Sequence, residues 1–266
     1  MRFTKAHGLG NDFLLVDAIG APRDLGPWAR RLCDRHVGVG ADGVVLYGVG
    51  GGGSAMRLLN ADGSEAEISG NGLRCLAALT VEKGLTPRHH VVQTAVGPRE
   101  VDVEPLGGGR CRVTTDLGEP HTGGLVDHPL AVEGRTVEIT ATSLGNPHCA
   151  VFVNPPVDDE TLGSLGPALE RHAIFPQRTN VEFVTVVSRA QLRVRFWERG
   201  VGYTRASGTG AASAALAAML KGVVDRRVAV ACDGGTLEVE WPEGGRLRQT
   251  GEAEILFEGE WTATSS

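Results

Sequence analysis

Two serines open nearly identical turns in this chain, and turns of that kind can do chemistry. Residues 69–84 read SGNGLRCLAALTVEKG and residues 207–222 read SGTGAASAALAAMLKG, an offset of 138 residues that holds from the first serine to the closing Lys-Gly. A Gly-rich turn feeding a helix exposes backbone N–H groups and the positive end of the helix dipole, a combination that binds anions. A small carboxylate ligand would be held by N–H donors at Gly70, Asn71, Gly208 and Thr209. Its Cα would then lie between side chains 69 and 207, one removing the α-proton from one face while the other protonates the opposite face. A plainer reading stands beside this one: serine is a good helix N-cap, and each turn can be that alone.

The elements that must position these serines repeat as well. Each Ser-Gly-x-Gly turn runs into an Ala/Leu-rich stretch of high helix propensity that stops at Lys-Gly. Each helix is followed by an alternating pattern, Val91 to Glu104 around Gly97 and Val228 to Trp241 around Gly235, which predicts two hairpins. Upstream, Leu9-Gly10-Asn11 and Leu144-Gly145-Asn146 lie 135 residues apart, each before an apolar strand, Phe13 to Val16 and Cys149 to Val153. Three matches in one order predict an α+β fold of two similar domains related by internal duplication. The alternative is convergence of turn-helix composition without duplication. The boundary falls near residue 116, giving a first domain over 1–116 and a second over 117–252. The tail 253–266, from AEILFEGEW onward, is expected to return to the first domain as a strand.

Bulk properties narrow the function classes. At 266 residues the chain is long enough for two modest domains, and 41% hydrophobic with 22% charged residues is ordinary for a globular protein. A net charge of -6 without a basic block argues against a nucleic-acid partner. No apolar run reaches membrane-spanning length and no signal-like apolar segment follows the N-terminus, so no membrane partner is expected and the expected compartment is the cytoplasm. Five widely spaced cysteines with no Cys-x-x-Cys pair suggest neither a zinc site nor a disulfide framework; they read as small buried hydrophobes.

Longer motifs carry a resemblance. Asn60-Ala61-Asp62-Gly63-Ser64-Glu65 followed by Gly70-Asn71-Gly72-x-Arg74-Cys75, and Glu198-Arg199-Gly200-Val201-Gly202 followed by Ala206-x-Gly208-Thr209-Gly210-Ala211, resemble the two signatures of diaminopimelate epimerases. Lys5-x-His7-Gly8-x-Gly10-Asn11-Asp12-Phe13, Gly38-x-Gly40-Ala41-Asp42, Gly145-Asn146-Pro147-His148 and Arg178-Thr179-Asn180-Val181 are similar too. The resemblance implies two domains, each a barrel-like sheet around a central helix, with the site between them. It implies no metal and no cofactor, a homodimer, and interconversion of L,L- and meso-diaminopimelate on the route to lysine and peptidoglycan. By motif, Asn11, Asn60, Asn146, Asn180, Glu198 and Arg199 would grip the substrate, and the backbone at Gly70, Asn71, Gly208 and Thr209 would hold the reacting carboxylate. His148 and Glu198 would lie near the proton-moving groups at 69 and 207. Amides with one Arg and one Glu suit a zwitterion.

The departures fall where chemistry is most sensitive. The family has cysteine where this chain has Ser69 and Ser207. A thiol of reference pKa about 8.5, lowered further at a helix N-terminus, supplies a thiolate near neutral pH; a serine hydroxyl stays protonated. The expectation is a chain that binds the ligand and turns it over slowly or not at all. Serines inside otherwise intact motifs, with five other cysteines untouched, suit targeted replacement. Tyr203, in Gly202-Tyr203-Thr204 where the family usually reads Gly-Glu-Thr, instead suits a native relative: an isomerase, dehydratase or cyclase for another amino acid, or a non-catalytic binder.

Overall fold

The computed structural model describes residues 1–122 and 124–262. The chain divides into two compact units, Met1–Thr115 with Gly251–Ser266, and Asp116–Thr250. The first unit begins with β1 (Arg2–Gly8), β2 (Asn11–Asp17), α1 (Leu25–Cys33), β3 (Gly43–Gly50), β4 (Gly53–Asn60) and β5 (Glu65–Ala66). It continues through α2 (Gly70–Glu82), β6 (His89–Thr94), β7 (Gly97–Gly107) and β8 (Arg110–Gly118). The second unit carries β9 (His121–Thr122), β10 (His128–Val132), β11 (Arg135–Ser143), β12 (Pro147–Phe152), α3 (Asp159–Glu170) and β13 (Asn180–Ser188). After these come β14 (Gln191–Glu198), β15 (Gly202–Thr204), α4 (Gly208–Leu220), β16 (Arg227–Cys232) and β17 (Gly235–Glu240), and the long β18 (Leu247–Glu260) passes from the second unit into the first at Gly251. The tail strand therefore starts earlier than 253, and residues 263–266 of that expected segment lie outside the described residues.

The duplication is visible in strand pairing. In the first unit β1 pairs antiparallel with β2, β2 parallel with β3, β3 antiparallel with β4, β4 parallel with β6, and β6 antiparallel with β7. The second unit repeats the alternation through β11–β12, β12–β13, β13–β14, β14–β16 and β16–β17. In the first unit β7–β8, β8–β18 and β18–β1 pairs close the ring. The expected hairpins are the β6–β7 and β16–β17 pairs. The fold is thus α+β, with two similar barrel-like sheets, each around a central helix.

The sequences of the two central helices explain their position. Every residue from Gly70 to Thr80 and from Gly208 to Ala218 is buried. A helix without a polar face has no side to give to solvent and is stable only when surrounded. Its small residues let strands approach on all sides: α2 packs on β1, β2, β3, β4 and β7, and α4 on β11, β12, β13, β14, β16 and β17. Strands β2, β3, β12 and β13 are buried on both faces along their central residues. In β2, Phe13 and Leu15 join the core around α2, whereas Leu14 and Val16 join a second core beneath α1 with Ala29 and Leu32. In the second unit Cys149, Val151, Val181 and Phe183 pack beneath α3 with Leu162, Leu165 and Leu169.

The two upstream motifs are built differently. Leu9 and Gly10, both at positive φ (56° and 82°), form a two-residue turn closed by the Gly8–Asn11 pair. That geometry matches the twist of the flanking strands. In the second unit Ser143 pairs with Pro147, so Leu144, Gly145 and Asn146 form a three-residue turn. Asn11 is a strand residue, and Asn146 is left at the turn.

Candidate functional site

Both serines sit where their turns predict. Ser69 caps α2 with extended backbone (φ -129°, ψ 122°), and its hydroxyl accepts from Gly72 N at 3.1 Å. Ser207 caps α4 at φ -132° and ψ 123°, accepting from Gly210 N at 3.2 Å. Two caps that agree within a few degrees are one local design used twice. Each leaves the N–H groups of the first helical residues without an intrahelical acceptor, at the positive end of a helix dipole worth roughly half a unit charge. The N-cap reading of the serines is therefore true of the geometry. It does not compete with an anion-binding role, because a cap occupies only one of the helix's free donors.

Around the first turn, polar side chains form a chain. The guanidinium of Arg74, fully buried, donates to Asn71 Oδ1. Asn71 Nδ2 donates to Asn11 Oδ1 at 3.1 Å, and Asn11 Nδ2 to Asp42 Oδ2 at 2.8 Å. Asn60 ends β4 opposite Gly43, its amide donating to Ser64 Oγ at 3.0 Å, and the next residue, Ala61, donates its N–H to Asp42 O at 3.1 Å. Asp12, beside Asn11, receives Arg35 at 2.7 Å and the ammonium of Lys5. Burial opposes its charge, yet the hydrogen bonds from Arg35 and Lys5 hold its pKa at about 2.

The second unit places His148 and Asn180 side by side as partners on β12 and β13. His148 is fully buried; its Nδ1 shares a 2.7 Å hydrogen bond with Glu182 Oε1, and its Nε2 lies 2.9 Å from Asn146 Oδ1. Burial pushes the Glu182 carboxyl pKa up, against the lowering influence of His148. Asn180 is fixed at both ends, donating to Pro147 O at 3.0 Å and accepting from Arg199 N at 3.0 Å. Glu198 and Arg199 are half-buried at the end of β14, and the Arg199 guanidinium donates to Gln177 O at 3.2 Å. The turn that follows is pinned by buried Glu170, which accepts from Gly200 N at 2.8 Å, Trp197 Nε1 at 3.0 Å and Arg178. Buried Gln249 donates to Gly208 O at 2.6 Å, holding the first turn of α4 in place. His148 with Asn146, and Asn180 with Arg199, thus meet on either side of Pro147, and in the first unit the end of β4 meets the Asn11–Asn71 chain at Asp42.

Sequence reasoning found no acidic partner for His148. Glu182 is that partner, two residues beyond Asn180 on the same strand. The period-2 alternation of strands puts residues 180 and 182 on one face, and that parity was the available signal. All five cysteines are free and buried, with Cys33, Cys75 and Cys111 pushed up to about 12 by burial, so none supplies a thiolate near neutral pH. Among the described residues no group of three or more His, Cys, Asp and Glu side chains could hold a metal ion, and no helix is long and apolar enough to cross a membrane.

Comparison with known proteins gives this arrangement its family. The sequence model described as diaminopimelate epimerase matches residues 3–122 and 140–256. The diaminopimelate epimerase of Pelotomaculum thermopropionicum is 44% identical over 280 residues, covering 98% of this chain and 99% of that protein. That of Synechocystis sp. is 43% identical over 279 residues, covering 98% of each. Among solved structures, a hydroxyproline epimerase from Agrobacterium vitis superposes with a TM-score of 0.74 at 16% identity, over 97% of this chain and 91% of the other, a likeness of fold. On its sequence from end to end, the chain belongs to the diaminopimelate epimerase family.

Proposed function

We propose that this chain is a diaminopimelate epimerase scaffold: it binds diaminopimelate and presents positions 69 and 207 as the two proton-moving groups of a cofactor-independent epimerisation. The observation that supports this most directly is the pair of matching caps at Ser69 and Ser207, each opening a buried helix with free N–H donors. In such a reaction one base takes the α-proton. The electron pair left on Cα delocalises into the carboxylate, which N–H donors stabilise as negative charge grows there, and an acid returns a proton to the opposite face. Gly70, Asn71, Gly208 and Thr209 are the backbone donors in this reading. Asn11, Asn60, Asn146, Asn180, Glu198 and Arg199 hold the polar groups of the substrate, and His148 and Glu198 tune the proton-moving positions. Cytoplasmic location and a homodimer belong to the same reading.

Serine makes this form slow. A hydroxyl is a weak base unless another group takes its proton, and the caps engage both hydroxyls as acceptors. Cysteine at the same two positions would be thiolate-forming, favoured by the helix dipole. The test is α-proton exchange: L,L-diaminopimelate in D2O with the protein as it stands, beside Ser69→Cys/Ser207→Cys, following deuterium at Cα by mass. Exchange in the cysteine form alone is expected. Exchange at comparable rates in both forms would overturn the assignment of 69 and 207 as the bases.

One observation favours a second reading. The Tyr203 hydroxyl donates to Asp233 Oδ2 at 2.9 Å, and its ring lies 5.4 Å from the Arg195 guanidinium; Arg193 and Arg195 pair with the same carboxylate. A tyrosine built into such a cluster suits a relative whose serines are native and whose substrate is another amino acid, or one that only binds. Silence of both forms toward diaminopimelate in the exchange experiment selects this reading.

A further inference from the structure

The duplication provides an internal control for the buried polar pair in the second unit. In the parallel pair β2–β3, Phe13 lies opposite Gly43 and Leu15 opposite Val45. In the matching pair β12–β13, His148 lies opposite Asn180 and Ala150 opposite Glu182. The positions of His148 and Glu182 are therefore filled in the first unit by Phe13 and Val45, both in the apolar core around α2. One barrel design folds with hydrophobes at these places. Its second copy instead buries a carboxylate at 1% exposure and an imidazole at 0%. Such burial works against stability unless the groups are fully paired, and Glu182 Oε2 has no hydrogen-bond partner among the described residues. The first unit folds without such a pair at the matching positions.

Its direction suggests what it is for. Glu182 holds Nδ1 of His148, and the opposite edge of the ring, Nε2, meets the oxygen of Asn146. An amide oxygen only accepts, so Nε2 carries the proton on that bond. Asn146, half-buried at its three-residue turn, then has its oxygen turned inward and its NH2 turned away from the ring. No competing charge disturbs the relay from the packed helix, because α4 carries no ionisable residue between Gly208 and Leu220. The strand on the other side of β13 puts Phe196 opposite Glu182, and β11 puts Thr142 opposite His148. Glu198, two residues from Phe196, is the remaining charged group on that face of β14.

We propose that Glu182 is a positioning residue which, acting through His148, fixes the amide of Asn146 with its two N–H donors presented to an anionic group of the ligand. The proposal rests on the reading of Asn146 as a ligand contact. A double-mutant cycle tests it, measuring diaminopimelate Kd by calorimetry for the protein as it stands, Glu182→Gln, Asn146→Ala and the two combined. Each single change is expected to weaken binding tenfold or more, and the combination no more than Asn146→Ala alone, because residues acting through one contact are not additive. Additive losses, or unchanged binding by Glu182→Gln, would overturn the proposal.

A readout without ligand separates this from failure of the functional reading. In 15N-labelled protein, Glu182→Gln is expected to shift both the His148 ring-proton signal and the Asn146 side-chain amide signals. Asn146 signals identical in the two proteins overturn the relay even where diaminopimelate does not bind. A fold control completes the test. His148→Leu/Glu182→Val, approaching the apolar pair of the first unit, is expected to melt within a few degrees of the parent; failure to fold would assign the pair to stability and overturn the proposal.

Discussion

Ser69 and Ser207 each serve as a helix cap whatever else they do, and that local role is measurable apart from any chemistry. Replacing either by alanine removes the acceptor for Gly72 N or Gly210 N. The loss expected is about 1 kcal/mol of stability per site, with cysteine costing less than alanine because it keeps a weak acceptor at the same place. Urea unfolding of the single variants checks this; alanine variants as stable as the parent would mean that the caps are not under load. The separation matters for the exchange experiment. A Ser→Cys variant that gains α-proton exchange while its stability stays level has changed its chemistry and not its fold.

At the scale of elements, one charged cluster ties together segments that the sequence leaves far apart. Lys5 on β1, Asp12 on β2, Arg35 after α1 and Asp42 before β3 converge, with Arg35 bridging Asp12 at 2.7 Å and Asp42 at 2.9 Å. The folded Asp12 pKa is depressed from 3.8 to about 2, so the stability this carboxylate contributes is present above pH 3.8 and is lost as pH falls toward about 2. Asp12→Asn should therefore flatten the acid limb of the stability profile across that window, read by melting temperature against pH, and an unchanged limb would count against the cluster. Lys5, Asp12 and Asp42 were legible in the sequence as parts of motifs, but their convergence was not, because it depends on which strands are neighbours. The caps, the two buried helices and the paired hairpins were legible since turn chemistry and periodicity are local. Glu182 is not legible in the sequence because its meaning lies in a parallel strand 34 residues from His148. Tyr203 stood out as a departure, yet its partner Asp233 is 30 residues away in sequence.

For the whole molecule, duplication has separated two duties that a single barrel would have to combine. The first unit fills the positions of the Phe13 and Val45 pair with hydrophobes, and the second gives the same positions to His148 and Glu182. A repeated scaffold can carry a buried polar pair in one copy, since that copy retains the rest of its core beneath α3. Conservation of architecture and divergence of interior therefore go together in this chain.

The way the two units share the chain has a temporal consequence. The second unit is one continuous stretch, Asp116–Thr250, while the first is split between the two ends, and Arg2 on β1 pairs with Glu260 on β18. On a ribosome, which delivers the N-terminus first, β1 has β2 beside it at once, but its other edge stays open until β18, far along the chain, is made. Closing a loop of that length before its contacts form slows folding. Pulsed amide exchange during refolding of the intact chain should accordingly protect β11 to β14 before β1, with equal or earlier protection of Thr4 to Ala6 contradicting that order. A nascent chain would carry a finished second unit beside an unfinished first one, and the arrival of β18 would decide when the first ring closes.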